Sequence, residues 1–193
     1  MKPPLGEAQL RDLALHYAAR FATTAARVEA YLARKIRERG LAEDGDGRVI
    51  QPDLPALVAR LVALGYVDDD AYARMRTRDL GDRGYGARRV EESLRHAGVS
   101  EGLRRTHAPG EAARRQAAAL MARKRRLGPF ATTRDADDPL TARKTREKAI
   151  AALLRAGHQY EHASFILAAE RPEDIEAWLA EAAESEEGTG TQW

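Results

Sequence analysis

Apolar residues recur three and four positions apart along almost the whole chain, the spacing of one face of an α-helix. Leu10, Leu13, Ala14 and Tyr17 mark a helix between Glu7 and Phe21. Val28, Tyr31, Leu32 and Ile36 mark a second, ending near Gly40, and Leu54, Leu57, Val58, Leu61 and Val62 a third. A helix over about 71–80 is followed by one from Gly86 or Ala87 to Gly98 with Ala87, Val90, Leu94 and Ala97 on its inner face. A short helix runs from Ser100 to about Thr106. Ala113, Ala117, Leu120 and Leu127 predict a helix over 111–127; Ile150, Leu153 and Leu154 predict one from a Thr141 cap to Gly157. Phe165, Ile166 and Leu167 anchor another, and Ile175, Trp178 and Leu179 a last one. No stretch alternates with period two, so the chain reads as all-α.

Local signals punctuate these segments. Thr23-Thr24, Asp53, Asp68-Asp69-Asp70 and Ser100 are side chains that cap a first turn by accepting from its orphan amides. Gly65 suits a left-handed helix end, with Tyr66 packing back on the last turn. Tyr85 and Val90 have the spacing of a hydrophobic staple. Residues 41–52 and 130–140 read as loops.

The helices fall into threes. Val28 and Leu32, Val90 and Leu94, and Ala149 and Leu153 form one apolar i,i+4 pair in each middle helix, with Gly98 and Gly157 four residues after their Leu. Stacked units of this kind bury one another's faces. The expectation is therefore tandem three-helix repeats forming an elongated, curved body. Its parts are a flexible 1–7, repeats over 8–67, 68–108 and 109–182, the last with an extra C-terminal helix, and a disordered acidic tail over 183–193.

Charge changes the picture. The net is +2, but residues 74–126 carry fifteen Lys/Arg against six Asp/Glu, +9, and residues 170–193 carry one Arg against eight acids, −7. The middle of the chain is a candidate surface for polyanions or acidic partners. Arg88 and Arg95 lie opposite the apolar stripe of their helix, Arg89 lies along its flank, and Arg114 and Arg115 stand on the next long helix. Arg123 to Arg126 are explained by cations favouring a helix C-terminus.

Reactive chemistry is sparse. Cysteine is absent, which excludes disulfides, thiol catalysis and Cys-containing zinc sites. There is no phosphate-binding glycine loop and no nucleophile elbow, so no catalytic residue and no cofactor is expected. His158 and His162 are four apart, as zinc ligands on one helix would be, but Gly157 places His158 in a turn, and surface or capping roles fit both better. No metal is expected. No apolar run approaches the ~18 residues of a membrane span, and the first six residues lack a signal-peptide core, so a cytoplasmic protein without membrane contact is expected.

Particular segments carry a resemblance. Leu61-Val62-Ala63-Leu64-Gly65-Tyr66-Val67-Asp68-Asp69 followed by Tyr72-Ala73 resembles a signature stretch of the RecX family, regulators of the RecA recombinase. Arg83-Gly84-Tyr85-Gly86-Ala87-Arg88-Arg89-Val90, with Leu94 and Ala97-Gly98-Val99, is similar to that family's second-repeat signature. Arg125 to Phe130, Arg146-Glu147-Lys148 and Leu154 to Gly157 resemble the third repeat. The match spans roughly 8–168; the longer first middle helix, the two loops and the acidic tail depart from it. The resemblance implies tandem three-helix repeats and a monomeric protein without enzymatic activity. It implies binding to RecA nucleoprotein filaments and inhibition of their ATPase and strand exchange in recombination, DNA repair and the SOS response. It also implies a partner surface on basic repeat positions, here Arg88, Arg89, Arg95, Arg114 and Arg115. The alternative reading of the basic segment is a single-strand nucleic-acid binder that competes for DNA; weak DNA binding is compatible with either.

Overall fold

A computed structural model describes residues 3–43, 45–49, 51–131 and 138–189. Ten α-helices are described: α1 (Glu7–Arg20), α2 (Ala25–Arg39), α3 (Leu54–Ala63), α4 (Asp69–Asp82), α5 (Ala87–His96), α6 (Glu101–Thr106), α7 (Glu111–Arg125), α8 (Pro139–Arg155), α9 (Tyr160–Ala168) and α10 (Pro172–Thr189). A 3-10 turn, Gly128–Phe130, follows α7. Extended pairing among the described residues is limited to isolated bridges, Leu5 with Leu41 and Glu43 with Val49. The all-α reading is what the periodicity predicts, and all six residues of the three i,i+4 pairs are buried.

Two compact units emerge, Met1–Arg74 with Leu94–Arg105, and Met75–Ser93 with Thr106–Trp193. The division does not follow the triplets, because α4 and α5 each contribute to both units.

The first unit packs α1, α2 and α3 on Leu10, Ala14, Val28, Leu32, Val58 and Leu61. Leu5 belongs to the same core, and its backbone pairs with Gly40 and Ala42, so the segment expected to be flexible is anchored here. Thr24 caps α2 by accepting from Arg27, and its hydroxyl donates to the Ala97 carbonyl. Asp68 caps α4 as predicted, whereas the neighbouring Asp69 accepts from Ala25 and serves the N-terminus of α2. Tyr66 does not pack back: the Gly65 turn closes through backbone bonds and the ring is exposed.

The second unit is built on α7. Ala117, Ala118, Ala119, Met121 and Ala122 are buried, and the small alanine side chains let neighbouring helices approach closely. Ala113 is exposed, contrary to the predicted face. Ala118, Ala119 and Ala122 pack with Ile166, Ile175 and Trp178, while Met121 packs with Leu153, Ala156 and Ala163. Tyr85 joins the Met121 group. The cap of α8 is Asp138, which accepts from Leu140 and Thr141, not Thr141 itself.

The acidic end also departs from expectation. α10 continues to Thr189, through residues read as disordered. The reason is the N-terminus of α7: Gly110 has no side chain to cap it, and the Glu186 carboxylate accepts from Ala112 at 3.0 Å instead. An anion there is favoured by the helix dipole. The acidic segment thus meets the positive end of α7 inside the unit. Residues 190–193, with the contact expected of Trp193, lie outside the described residues.

One contact fixes the turns of this unit. The Gly86 amide donates to Ala156 at 2.9 Å and the Arg88 amide to Gly157 at 3.2 Å. A Cβ on Gly86 would stand 2.2 Å from the Gly157 carbonyl carbon and oxygen. Gly157 itself has φ +95°, and a Cβ there would stand 2.6 Å from the Arg89 nitrogen. Two backbones touch, and neither can move away without losing a hydrogen bond. Gly86→Ala is expected to lower the unfolding free energy by about 2 kcal/mol or more, as overpacking of a rigid site does. Gly81→Ala, in α4 with open space around its Cβ position, is expected to be neutral or stabilising by up to about 1 kcal/mol. Urea titration of both variants checks the pair; equal effects would refute the contact.

Candidate functional site

The Gly86–Gly157 contact places the first turn of α5 beside the turn between α8 and α9, and of the basic residues read from sequence Arg88, Arg89, Arg114 and Arg115 belong to the same unit. Arg88 leaves α5 with its side chain 64% exposed. Its Nη2 donates to the Leu154 carbonyl at 2.6 Å, so it caps the C-terminal end of α8, and Glu92 stands 3.9 Å from its Nε. Arg89, also exposed, reaches Glu92 at 3.5 Å. Arg114 on α7 is one-third exposed, with Nε 3.2 Å from Glu111. The alignment is not that of a hydrogen bond, and this buried Nε has no hydrogen-bond partner. Arg95 is exposed in the first unit.

Arg115 is different from what a solvent-facing binding residue would be. It is only 16% exposed. Its guanidinium donates to Glu111 at 2.8 Å and to the Trp178 carbonyl at 2.8 Å, reaches Glu181 at 3.4 Å, and lies over the Trp178 ring at 4.9 Å. Its donors are spent inside the unit, holding α7 to α10.

Surface or capping roles are the expectation for His158 and His162; both are buried. His158 lies in the α8–α9 turn, as Gly157 predicts, and its Nε2 donates to the Gly84 carbonyl at 3.0 Å. His162, on α9, bonds Glu111 at 3.0 Å and meets the Trp178 ring edge-on at 5.5 Å. The two imidazoles thus have separate protein partners. Among the described residues, no group of three or more His, Asp or Glu is placed to hold a metal ion. The sequence shows the two histidines as a pair four residues apart. What sequence could not supply was the partner, Glu111, about fifty residues away.

Arg88, Arg114, Gly157, His158, Gln159 and His162 line a pocket of about 270 Å³, and no carboxylate lines it. Elsewhere in the unit Arg76 pairs with Asp79 and Arg83 with the same carboxylate, so one acid serves two cations. Exposed pairs of this kind contribute little stability. Arg123 to Arg126 are exposed; Arg123 lies over Phe130, and Lys124 reaches the carbonyls of Asp82 and Arg83 that end α4. None of the helices is long and apolar enough to cross a membrane among the described residues.

Burial pushes the His158 pKa below the ordinary 6.5; the Gly84 bond pulls it partly back and the nearby His162 depresses it further. The unfolded chain therefore takes up a proton more readily than the folded one. His158 contributes stability that is intact above about pH 6.5 and is lost as pH falls through the depressed folded value. For Glu111 burial acts to raise the pKa, but the hydrogen bonds from Arg115 and His162 and the charges of His162 and Arg114 outweigh it and hold it below 4.5. Its contribution is present above that value and is lost only in stronger acid. Unfolding free energy measured in urea is expected to fall between pH 7.5 and 5.5, and His158→Gln, which can still donate to Gly84, is expected to flatten that slope. An unchanged slope in the variant would refute the assignment.

No family model matches the chain. It is 34% identical over 154 residues to the regulatory protein RecX of Myxococcus xanthus (strain DK1622), an alignment covering 78% of this chain and 80% of the relative. Its fold is similar to the crystal structure of RecX from Lactobacillus salivarius, with a TM-score of 0.63 at 16% identity, covering 88% of this chain and 96% of the other. Identity at the first level over most of both sequences, on an all-α chain whose glycine-jointed turns fall at the signature positions, shows that the chain belongs to the RecX family of regulatory proteins.

Proposed function

We propose that this protein is a negative regulator of RecA that binds the RecA nucleoprotein filament and inhibits its ATPase and strand exchange, thereby modulating recombination and DNA repair. The observation that carries the reading is the 34% identity to a regulatory RecX across most of the chain. On this reading the protein acts as a monomer, by binding rather than by a reaction of its own. The three triplets, 8–67, 68–108 and 109–182, are its repeat units.

The exposed arginines supply the contact. Arg88 and Arg89 are more than half exposed and share a single carboxylate, Glu92, which leaves donors for a partner's carboxylates or phosphates. Arg95 adds a further exposed cation on α5, and Arg114 a partly exposed one on α7. Arg115 supports them indirectly by fixing α7 against α10.

The second reading, direct binding of single-stranded DNA, is favoured by the exposed run Arg123 to Arg126. Co-sedimentation separates the two readings. Filament binding requires RecA on the strand, whereas direct DNA binding occurs without RecA and falls steeply with salt as counterions are released.

Arg88→Glu with Arg89→Glu is expected to retain the wild-type helical content yet to weaken inhibition of RecA ATPase at least tenfold, since a desolvated interface arginine contributes about 2 kcal/mol or more. Arg95→Glu alone is expected to weaken it by a smaller factor. Wild-type inhibition by the folded double variant would remove this surface from the contact; absence of inhibition by the wild-type protein would remove RecA regulation itself.

A further inference from the structure

The pocket beside the Gly86–Gly157 contact brings two of these arginines to one cavity. Its charged lining residues are Arg88 and Arg114, on two different helices. Each has one carboxylate in range, Glu92 at 3.9 Å and Glu111 at 3.2 Å, and neither carboxylate lines the pocket. Glu111 is drawn the other way by Arg115 and His162. Arg88 gives one donor to Leu154, and the buried Nε of Arg114 gives none. A guanidinium has five N–H donors and no acceptor, so the pocket offers more donors than its own protein groups accept.

The backbone contributes in the same sense. Gln159 is the N-cap residue of α9 and His162 lies in its first turn, where amides have no intrahelical acceptor, and the Gln159 side chain caps none of them. The volume, about 270 Å³, lies just below the range of about 300–1,000 Å³ typical of small-molecule sites. It suits one charged group with a few waters.

We infer that this pocket binds a single small oxyanion, a phosphate or a carboxylate group, between Arg88 and Arg114. The ligand is recognised by charge and by fork-shaped hydrogen bonding, the geometry in which arginine exceeds lysine. The inference goes beyond RecA regulation and holds whatever the partner is.

The test uses the full chain, labelled with nitrogen-15, titrated with sodium phosphate and separately with sodium acetate, each against sodium chloride at matched ionic strength. The Gly157 and Gln159 amide signals are expected to shift saturably in the low-millimolar range with at least one of the two anions and not with chloride. Saturation by phosphate alone assigns a phosphate group, and saturation by acetate a carboxylate. Arg114→Gln is expected to weaken binding at least tenfold. Arg88→Gln gives the same reading should the first variant fail to fold. Linear, chloride-like shifts with both anions, or saturation unchanged in a folded variant, would overturn the inference. Because the readout contains no RecA, its failure is distinct from failure of the regulatory proposal.

Discussion

The second unit depends on two backbones approaching without side chains between them. Gly86 and Gly157 meet so closely that a methyl on Gly86 would overlap the Gly157 main chain and one on Gly157 would overlap Arg89, and the hydrogen bonds at Gly86 and Arg88 make the approach specific. A contact of this kind cannot be relaxed by a rotamer change, because what it excludes is carbon attached directly to the backbone. It fixes where α5 begins relative to the α8–α9 turn, and therefore where Arg88 and His158 stand. The pocket, the cap that Arg88 provides to α8 and the buried His158–Gly84 bond all follow from it.

Around that joint the charge is organised by burial. Arg115, His162 and Glu111 form a hydrogen-bonded group against Trp178. A buried charge is tolerated when paired in this way and is costly when it is not. α10 supplies the remaining negative charge through Glu181 and Glu186. The acidic C-terminal segment is accordingly a structural complement of α7. The cations that stay at the surface, Arg88 and Arg89 above all, are those whose only carboxylate is a neighbour on their own helix.

Much of the fold was legible in the sequence because helix periodicity and capping are local. The Leu10, Val28, Leu32 and Leu153 core positions and the Thr24, Asp53 and Asp68 caps follow from a few adjacent residues. The errors share one cause, a partner far along the chain. Asp69 looks like a cap for its own helix and caps α2; Glu186 looks like part of a solvated tail and caps α7. Arg115 has the same local appearance as Arg114, and only the distant Trp178 makes it a buried residue. His158 and His162 were visible as a pair, but their burial came from Gly84 and Glu111, which no local rule connects to them. The family signature was legible for a further reason: its glycines sit where backbone geometry admits no other residue, as Gly86 does here.

The most direct test of the central constraint is native-state amide hydrogen exchange. The Gly86 and Arg88 amides, bonded to Ala156 and Gly157, are expected to exchange with the same opening free energy as the slowest amides of α7, because the glycine contact opens only when the whole second unit does. Rapid exchange of these two amides while α7 stays protected would show that the turns separate locally, and that the joint does not hold the unit together.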